Sequence, residues 1–298
     1  MAQESPDFNI LFNDDKYIKS YRLGEKVTGE FAQLLIDQTG IVADSHSSRD
    51  CPLLVLDNAC GTGVISSILQ RDLDHEVKTN WQLTCSDVSP GMLEYTRRRL
   101  ESEKWLNAEV KTVDAQDTKL PSELFTHAFT AFAFMALPRG LAALDESTRI
   151  LQPGGTIAFS TWIEPGWLLA AGKAVASISS DLPWPTADEF LSVIGNGQWS
   201  SVNWIEAQLK DRGFCDIKVN PVTRHNPLSV DEFVDMTMFM LPVVLNLFWT
   251  EEMRQESKDK FKPALEKYLI GLYGENGEVP TEWVAILSTA QKPSSTES

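Results

Sequence analysis

Between Leu53 and Leu69 the chain reads LLVLDNACGTGVISSIL: a short apolar run, an acid at its end, two glycines flanking one residue, and then apolar residues at helical spacing. Glycines so placed let the backbone turn sharply and approach a ligand closely, as in α/β proteins that hold nucleotides outside the carboxyl ends of their strands. The pattern departs from the dinucleotide fingerprint G-x-G-x-x-G, since Gly61-x-Gly63 is followed by Ser66 and Asp57 sits inside the loop, where it would face a pyrophosphate unfavourably. No G-x-x-x-x-G-K-[ST] phosphate loop is present either.

Two further acids fall at the ends of the next apolar runs. Asp87 closes LTCSD, where a carboxylate can accept hydrogen bonds from both hydroxyls of a ribose, and Asp114-Ala115-Gln116 follows the third run, where a side-chain oxygen can receive an adenine amino group. Acids around a glycine turn suit a ligand that lacks phosphate and carries an ammonium and a sulfonium, which is S-adenosylmethionine. The expected cofactor set is Asp57, Asn58, Ala59, Gly61 and Gly63 in the first turn, Asp87, Val88 and Met92 at the second, Asp114, Ala115 and Gln116 at the third, and Phe132 after the fourth.

These turns need a scaffold of strands alternating with helices. Lys16 to about Thr39 carries Val27, Phe31, Leu34 and Leu35 at helical spacing and stops at Gly40. LLVLD is too densely apolar for a strand with a solvated face, Gln82–Asp87 is the next strand, and Ser89-Pro90 supplies an N-cap and a first-turn proline for a helix to about Glu103. Glu109–Val113 and His127–Phe134 are strands, Arg139–Leu151 is a helix, and Pro153-Gly154-Gly155 turns the chain into the strand Thr156–Trp162. This alternation predicts a doubly wound α/β fold with a mostly parallel sheet, because parallel strands need crossover helices.

About fifty residues rich in Trp and Gly (163–212) interrupt the rhythm before DRGFCDIKVNPV resumes strand character. Helices follow at Val230–Leu247 and Glu251–Tyr273, covering the sheet's ligand end, and WVAILSTAQK is the last strand. The chain thus divides as one domain: an N-terminal helical lid and linker (1–50), a cofactor-binding core (51–162), a helical insertion (163–212), remaining strands and covering helices (213–291), and a disordered tail (292–298).

Composition narrows the partners. With 26 basic and 42 acidic residues in 298, the net charge of −16 repels phosphate backbones and anionic lipid, so neither nucleic acid nor a membrane is expected as partner. Cys51, Cys60, Cys85 and Cys215 show no metal-like or disulfide-framework spacing, so no metal is expected. The N-terminus lacks the basic and apolar regions of a secretory signal, which predicts a cytoplasmic protein. The apolar window Met236–Trp249 falls short of the roughly 20 residues of a membrane span.

The three strand-end acids and the glycine turn resemble those of class I methyltransferases of the small-molecule branch. DNACGTG (57–63), STW (160–162), LPWPT (182–186), FWTEEMR (248–254) and YGENGEVP (273–280) are similar to segments of the fungal bis-thiomethyltransferases that cap the dithiols of gliotoxin-like metabolites. The resemblance covers most of the chain. It implies a seven-stranded Rossmann-like methyltransferase core, cofactor contacts from Asp57, Gly61, Gly63, Asp87 and Asp114-Ala115, and a small thiol acceptor such as a reduced epidithiodiketopiperazine.

Methyl transfer from a sulfonium is an in-line displacement in which the donor carries its own leaving group, so the protein's main task is alignment. A thiol with a pKa near 8.5 is about 3% thiolate at pH 7 and needs little help from a base. An oxygen acceptor would need a committed base, and an O- or N-methyltransferase of another fungal metabolite remains the alternative, as does a cofactor-binding protein without turnover. No catalytic side chain is assigned. Trp162 and Trp167, at and just beyond the fifth strand, with Phe134 and Met240, are candidates for lining the acceptor pocket, and Tyr21 for closing over the cofactor's methionine end. The Met-rich stretch that contains Met240 reads equally as core. Of four histidines only His225 could face a pocket, Arg97-Arg98-Arg99 reads as a solvated helix face, and Cys60 as a small apolar packer.

Overall fold

A computed structural model describes residues 15–44 and 52–294, with side chains from 23 to 43 and from 52 onward. In chain order the elements are α1 (Asp15–Thr39), α2 (Ile41–Asp44), β1 (Leu53–Asn58), α3 (Val64–Asp72), α4 (His75–Thr79), β2 (Trp81–Asp87), α5 (Pro90–Ser102), β3 (Ala108–Thr112), β4 (Phe125–Ala131), α6 (Gly140–Ile150), β5 (Leu151–Glu164), α7 (Trp167–Ile178), α8 (Ala187–Ile194), α9 (Val202–Asp211), β6 (Cys215–His225), β7 (Leu228–Ser229), α10 (Val230–Phe248), α11 (Glu251–Tyr273), β8 (Glu278–Val279) and β9 (Glu282–Gln291). Seven strands form one sheet in the order β3-β2-β1-β4-β5-β9-β6, and β7 pairs with β8 in a small separate ladder. Strands β1 to β5 pair in parallel, while β9 runs antiparallel between β5 and β6. The chain moves outward from β1 to β3 and then returns to place β4 on the other side of β1. The gap between β1 and β4 is therefore the point where strand order reverses, and ligands of such sheets bind at its carboxyl edge.

Period-two alternation sorts the strands' side chains onto two faces. Leu53, Val55, Leu83, Cys85, Phe129 and Leu287 share a buried body with Phe31 and Leu35 of α1, Ile65 and Leu69 of α3, and residues of α7, α10 and α11. Leu56, Ala128, Ile157, Phe159 and Ile286 form the other body with Leu144 of α6 and Leu209 of α9. Burying each of these large side chains contributes roughly 1.5–3 kcal/mol. In the described part of α1, Phe31, Leu35 and Ile36 are fully buried, so this half of the expected lid belongs to the core.

Local signals place most ends correctly. Ser89 accepts the Met92 amide hydrogen bond with Pro90 in the first turn of α5. Ser229 and Glu232 form a capping box opening α10. Two boundaries differ from expectation by more than a residue or so. β4 ends at Ala131 rather than Phe134, because Phe132 adopts a left-handed φ of 54° that no strand continues through. The Pro153-Gly154-Gly155 turn lies within β5 as a bulge: Phe125 pairs with Leu151 but His127 pairs with Thr156. Gly154, at φ 77°, and Gly155 bond there to both backbone groups of Lys292. Lys292 is thus pinned where the tail was expected to begin, and the rest of that expectation, from 295, lies outside the described residues. Among the described residues no helix is long and apolar enough to cross a membrane.

Candidate functional site

The turn after β1 is held from below, from the side and from the neighbouring strand. Ala59, Gly61 and Gly63 take left-handed φ of 52°, 52° and 76°, which the two glycines adopt freely and Ala59 adopts at a cost. Gly63 cannot carry a side chain without crowding, since a Cβ there would lie 3.0 Å from Trp105 Cη2 and 3.2 Å from Thr96 Cγ2. Gly63 also offers no side-chain cap to α3. Asp57 supplies that function from the strand: its Oδ2 accepts from the Ser66 amide at 3.1 Å and from the Ser66 hydroxyl at 2.6 Å. The sequence pattern alone turns Asp57 toward a cationic ligand. The structure instead places its carboxylate beneath the loop, 1% exposed, and burial pushes it up to about 7 against the pull of the Ser66 bonds.

Asp87 reaches across from β2. Its Oδ2 accepts from the Gly61 amide and its Oδ1 from the Ser89 amide, both at 2.9 Å, and burial raises its pKa. These donors fix the carboxylate before any ligand arrives. Val88 beside it is 36% exposed, an apolar surface next to a held acid, and Met92 beneath is buried. At the end of β3, Asp114 Oδ1 accepts from the Gln116 amide at 2.8 Å and from Gln116 Nε2 at 3.1 Å, over the buried Ala115. Gln116 Oε1 in turn accepts from the Arg139 amide at 2.9 Å, which ties this turn to the start of α6.

Asn58 is fully buried; its Oδ1 accepts from Ser86 Oγ at 3.2 Å, whereas Nδ2 has no partner among the described residues. The structure thus brings the first three turns together at the reversal point. They fit a phosphate-free nucleoside with a ribose: a held carboxylate, an adjacent apolar face and a glycine bend with no room for a side chain at Gly63. The side chain of Tyr21 lies outside the described residues.

Four aromatic rings from α1, the end of β4, the last residues of β5 and the start of β9 gather beside one another. Phe132 stacks on Trp162 with centroids 4.0 Å apart and planes at 17°. Phe31 meets both edge-on at 5.9 and 5.4 Å, and Trp283 lies 5.4 Å from Trp162. The Phe132 amide bonds to the Ser160 carbonyl and hydroxyl, and the Trp162 amide bonds to Met135 Sδ at 3.1 Å, so backbone contacts set both rings. Trp162 remains half-buried.

Other acceptor-side candidates lie elsewhere. Phe134 does not join these rings: in the 3-10 turn after β4 it is fully buried on the opposite core body, against Phe159 and Trp199. Trp167 is 3% exposed and packed edge-on to Trp184 and Phe190, so it is core rather than lining. Met240 is half-buried on α10 against the first core body. His225 ends β6 with its side chain 72% exposed, 3.8 Å from Glu282. Cys60 is buried, as a packer should be.

Sequence reasoning missed the α5 face. Arg97 and Arg98 are solvated, but Arg99 is 18% exposed and donates to the Thr62 carbonyl at 3.1 Å, while Thr96 donates to the Gly61 carbonyl at 2.8 Å. The spacing Met92, Thr96, Arg99 places all three on one side of a helix, a signal that was available in the chain.

Comparison with known proteins agrees with this fold. Residues 55–155 match the family model described as a methyltransferase domain. Acetylaranotin bis-thiomethyltransferase of Aspergillus terreus is 43% identical over 283 residues, covering 95% of this chain and 97% of that one. The methyltransferase tpcH of Aspergillus fumigatus is 41% identical over 95% of this chain and 99% of its own. Among solved structures, loganic acid methyltransferase with SAH superposes with a TM-score of 0.62 at 11% identity, covering 96% of this chain and 99% of that one. The YcgJ protein of Bacillus subtilis gives 0.52 at 14% identity, covering 85% and 96%. Full-length identity above 40% joined to this topology and strand-end site leads to one family: the chain belongs to the S-adenosylmethionine-dependent methyltransferases, in the fungal group that includes acetylaranotin bis-thiomethyltransferase.

Proposed function

We propose that this enzyme caps the thiols of a reduced fungal dithiol metabolite of the epidithiodiketopiperazine type, working as a single domain in the cytoplasm. The observation that carries the reading is its 43% identity, across nearly the whole of both chains, with acetylaranotin bis-thiomethyltransferase. When bound, S-adenosylmethionine supplies an electrophilic methyl group on a sulfonium. Asp87 holds the ribose, Val88, Met92 and Ala115 enclose the adenine, Asp114 and Gln116 receive its amino group, and Asn58, Ala59, Gly61 and Gly63 shape the bend over which the donor lies. Asp57 acts from underneath, fixing α3 against that bend and contributing negative charge. Tyr21 closes the methionine end.

The stacked Phe132 and Trp162 rings form the wall toward which the acceptor sulfur is led, and their faces favour a cationic sulfonium. Alignment of sulfur and methyl in a site lined by rings is the principal catalytic contribution, because a thiol supplies its own nucleophile on losing a proton to water. The test is incubation with S-adenosylmethionine and a reduced epidithiodiketopiperazine, with S-methyl products expected by mass spectrometry. Absence of such products, with methyl transfer to phenols or amines instead, overturns the thiol assignment. For thiols the pH–rate profile should follow the acceptor's own titration.

A further inference from the structure

We propose that Arg99 is a positioning residue that couples the seating of α1 to the shape of the cofactor loop, so that Glu25, on α1, controls methyl-donor affinity without touching the donor. The proposal rests on the reading of residues 58–63 as the donor loop.

One atom makes the connection. Arg99 Nη1 lies 3.3 Å from both Glu25 carboxylate oxygens and 3.1 Å from the Thr62 carbonyl oxygen, so the same nitrogen bridges the N-terminal helix and the loop. Glu25 and Arg99 are 17% and 18% exposed, which limits screening of the pair by solvent. Arg99 Nε donates to Glu103 Oε1 at 2.6 Å, and Glu103 also accepts from Ser67 on α3 and from the Trp105 indole, both at 2.8 Å. Trp105 is the ring that occupies the space over Gly63. The guanidinium is therefore fixed at one end by the network that closes the loop and at the other by α1.

The carbonyl it holds belongs to the peptide that leads into Gly63, at φ 76°. If Glu25 withdraws, the guanidinium keeps Glu103 at Nε but loses the carboxylate that orients Nη1, and the Thr62 carbonyl loses a fixed donor. A planar fork with several N–H groups can serve a carboxylate and a carbonyl together, which an ammonium does with less directional control. Tyr21 stands four residues before Glu25 on α1, about one helical turn, so the same anchor sets the turn that carries it.

Glu25→Gln, Arg99→Gln and the double variant are titrated with S-adenosylhomocysteine by calorimetry, with Asp87→Ala as the control for the donor site itself. Each single variant is expected to raise Kd about five- to tenfold at unchanged stoichiometry, and the double variant no more than the weaker-binding single one. A purely structural role would lower stoichiometry and Tm and leave Kd alone. Coupling is reciprocal, so S-adenosylhomocysteine should slow amide exchange around Glu25 in the parent enzyme and lose that effect in Glu25→Gln. Additive effects of the two substitutions, or an unchanged Kd in Glu25→Gln, overturn the proposal. If Arg99→Gln fails to fold, Glu25→Gln alone decides through Kd and exchange. If Asp87→Ala also leaves Kd unchanged, it is the donor-site reading that fails instead.

Discussion

Replacement of Asp57 by asparagine separates the two consequences of burying an acid under the donor loop. Burial moves this carboxyl from 3.8 to about 7. At roughly 1.4 kcal/mol for each pH unit between those values, the ionised form is disfavoured in the folded state by on the order of 4 kcal/mol. The sign follows from proton binding: between about pH 4 and pH 7 the folded protein keeps a proton that the unfolded chain has released, so this group's contribution to stability falls as pH rises and levels off above 7. Asparagine removes the titration while its amide oxygen still accepts from Ser66, without charge assistance to either of the two bonds. Urea unfolding of both proteins at pH 5, 6, 7 and 8 should therefore show the difference swinging toward the Asp57→Asn variant by about 3 kcal/mol over that range. Donor affinity should move the other way, since a cationic donor favours the ionised acid: the parent binds S-adenosylmethionine more tightly as pH passes 7, and the variant stays flat. Stability curves that remain parallel within about 0.5 kcal/mol would refute the reasoning, because Asp57 would then titrate alike in both states.

Two further predictions concern the same loop. Asp87→Ala removes the proposed ribose acceptor and leaves the Gly61 and Ser89 amides without their carboxylate, so donor binding should weaken by about 1.5–3 kcal/mol, and equal affinity by calorimetry would reject the ribose assignment. Gly63→Ala should lower stability by about 1–3 kcal/mol because its Cβ meets Trp105 and Thr96 at a left-handed φ, whereas Ala59→Gly should hold or raise stability by up to about 1 kcal/mol by relieving the same backbone strain. Thermal unfolding of the pair, read for opposite signs, checks both.

Much of the architecture was legible because its causes are local. Alternation of short apolar runs with helical spacing, Ser89-Pro90, and the acids closing LLVLD and LTCSD announce themselves within a few residues, and α11 starts and stops where its pattern does. The errors arose where a distant partner decided. Phe132 and Phe134 are two residues apart and equally aromatic, yet a left-handed Phe132 turns one onto Trp162 and sends the other into the opposite core. Trp167 is a lining candidate by position, and Trp184 and Phe190 close around it. Arg99 looks like its neighbours in a basic run, and Glu25, 74 positions away, together with the Thr62 carbonyl distinguishes it.

The chain alone therefore determined the alternation of strands and helices in its core, the glycine bend after the first strand and the acids at the strand ends, since backbone propensity, turn chemistry and hydrophobic period are encoded within a single turn or strand. Tertiary structure decided which way Asp57 faces, which aromatic rings meet and which arginine is anchored. Those outcomes depend on what occupies the other side of each side chain, and that neighbour is supplied by elements folded in from far along the chain.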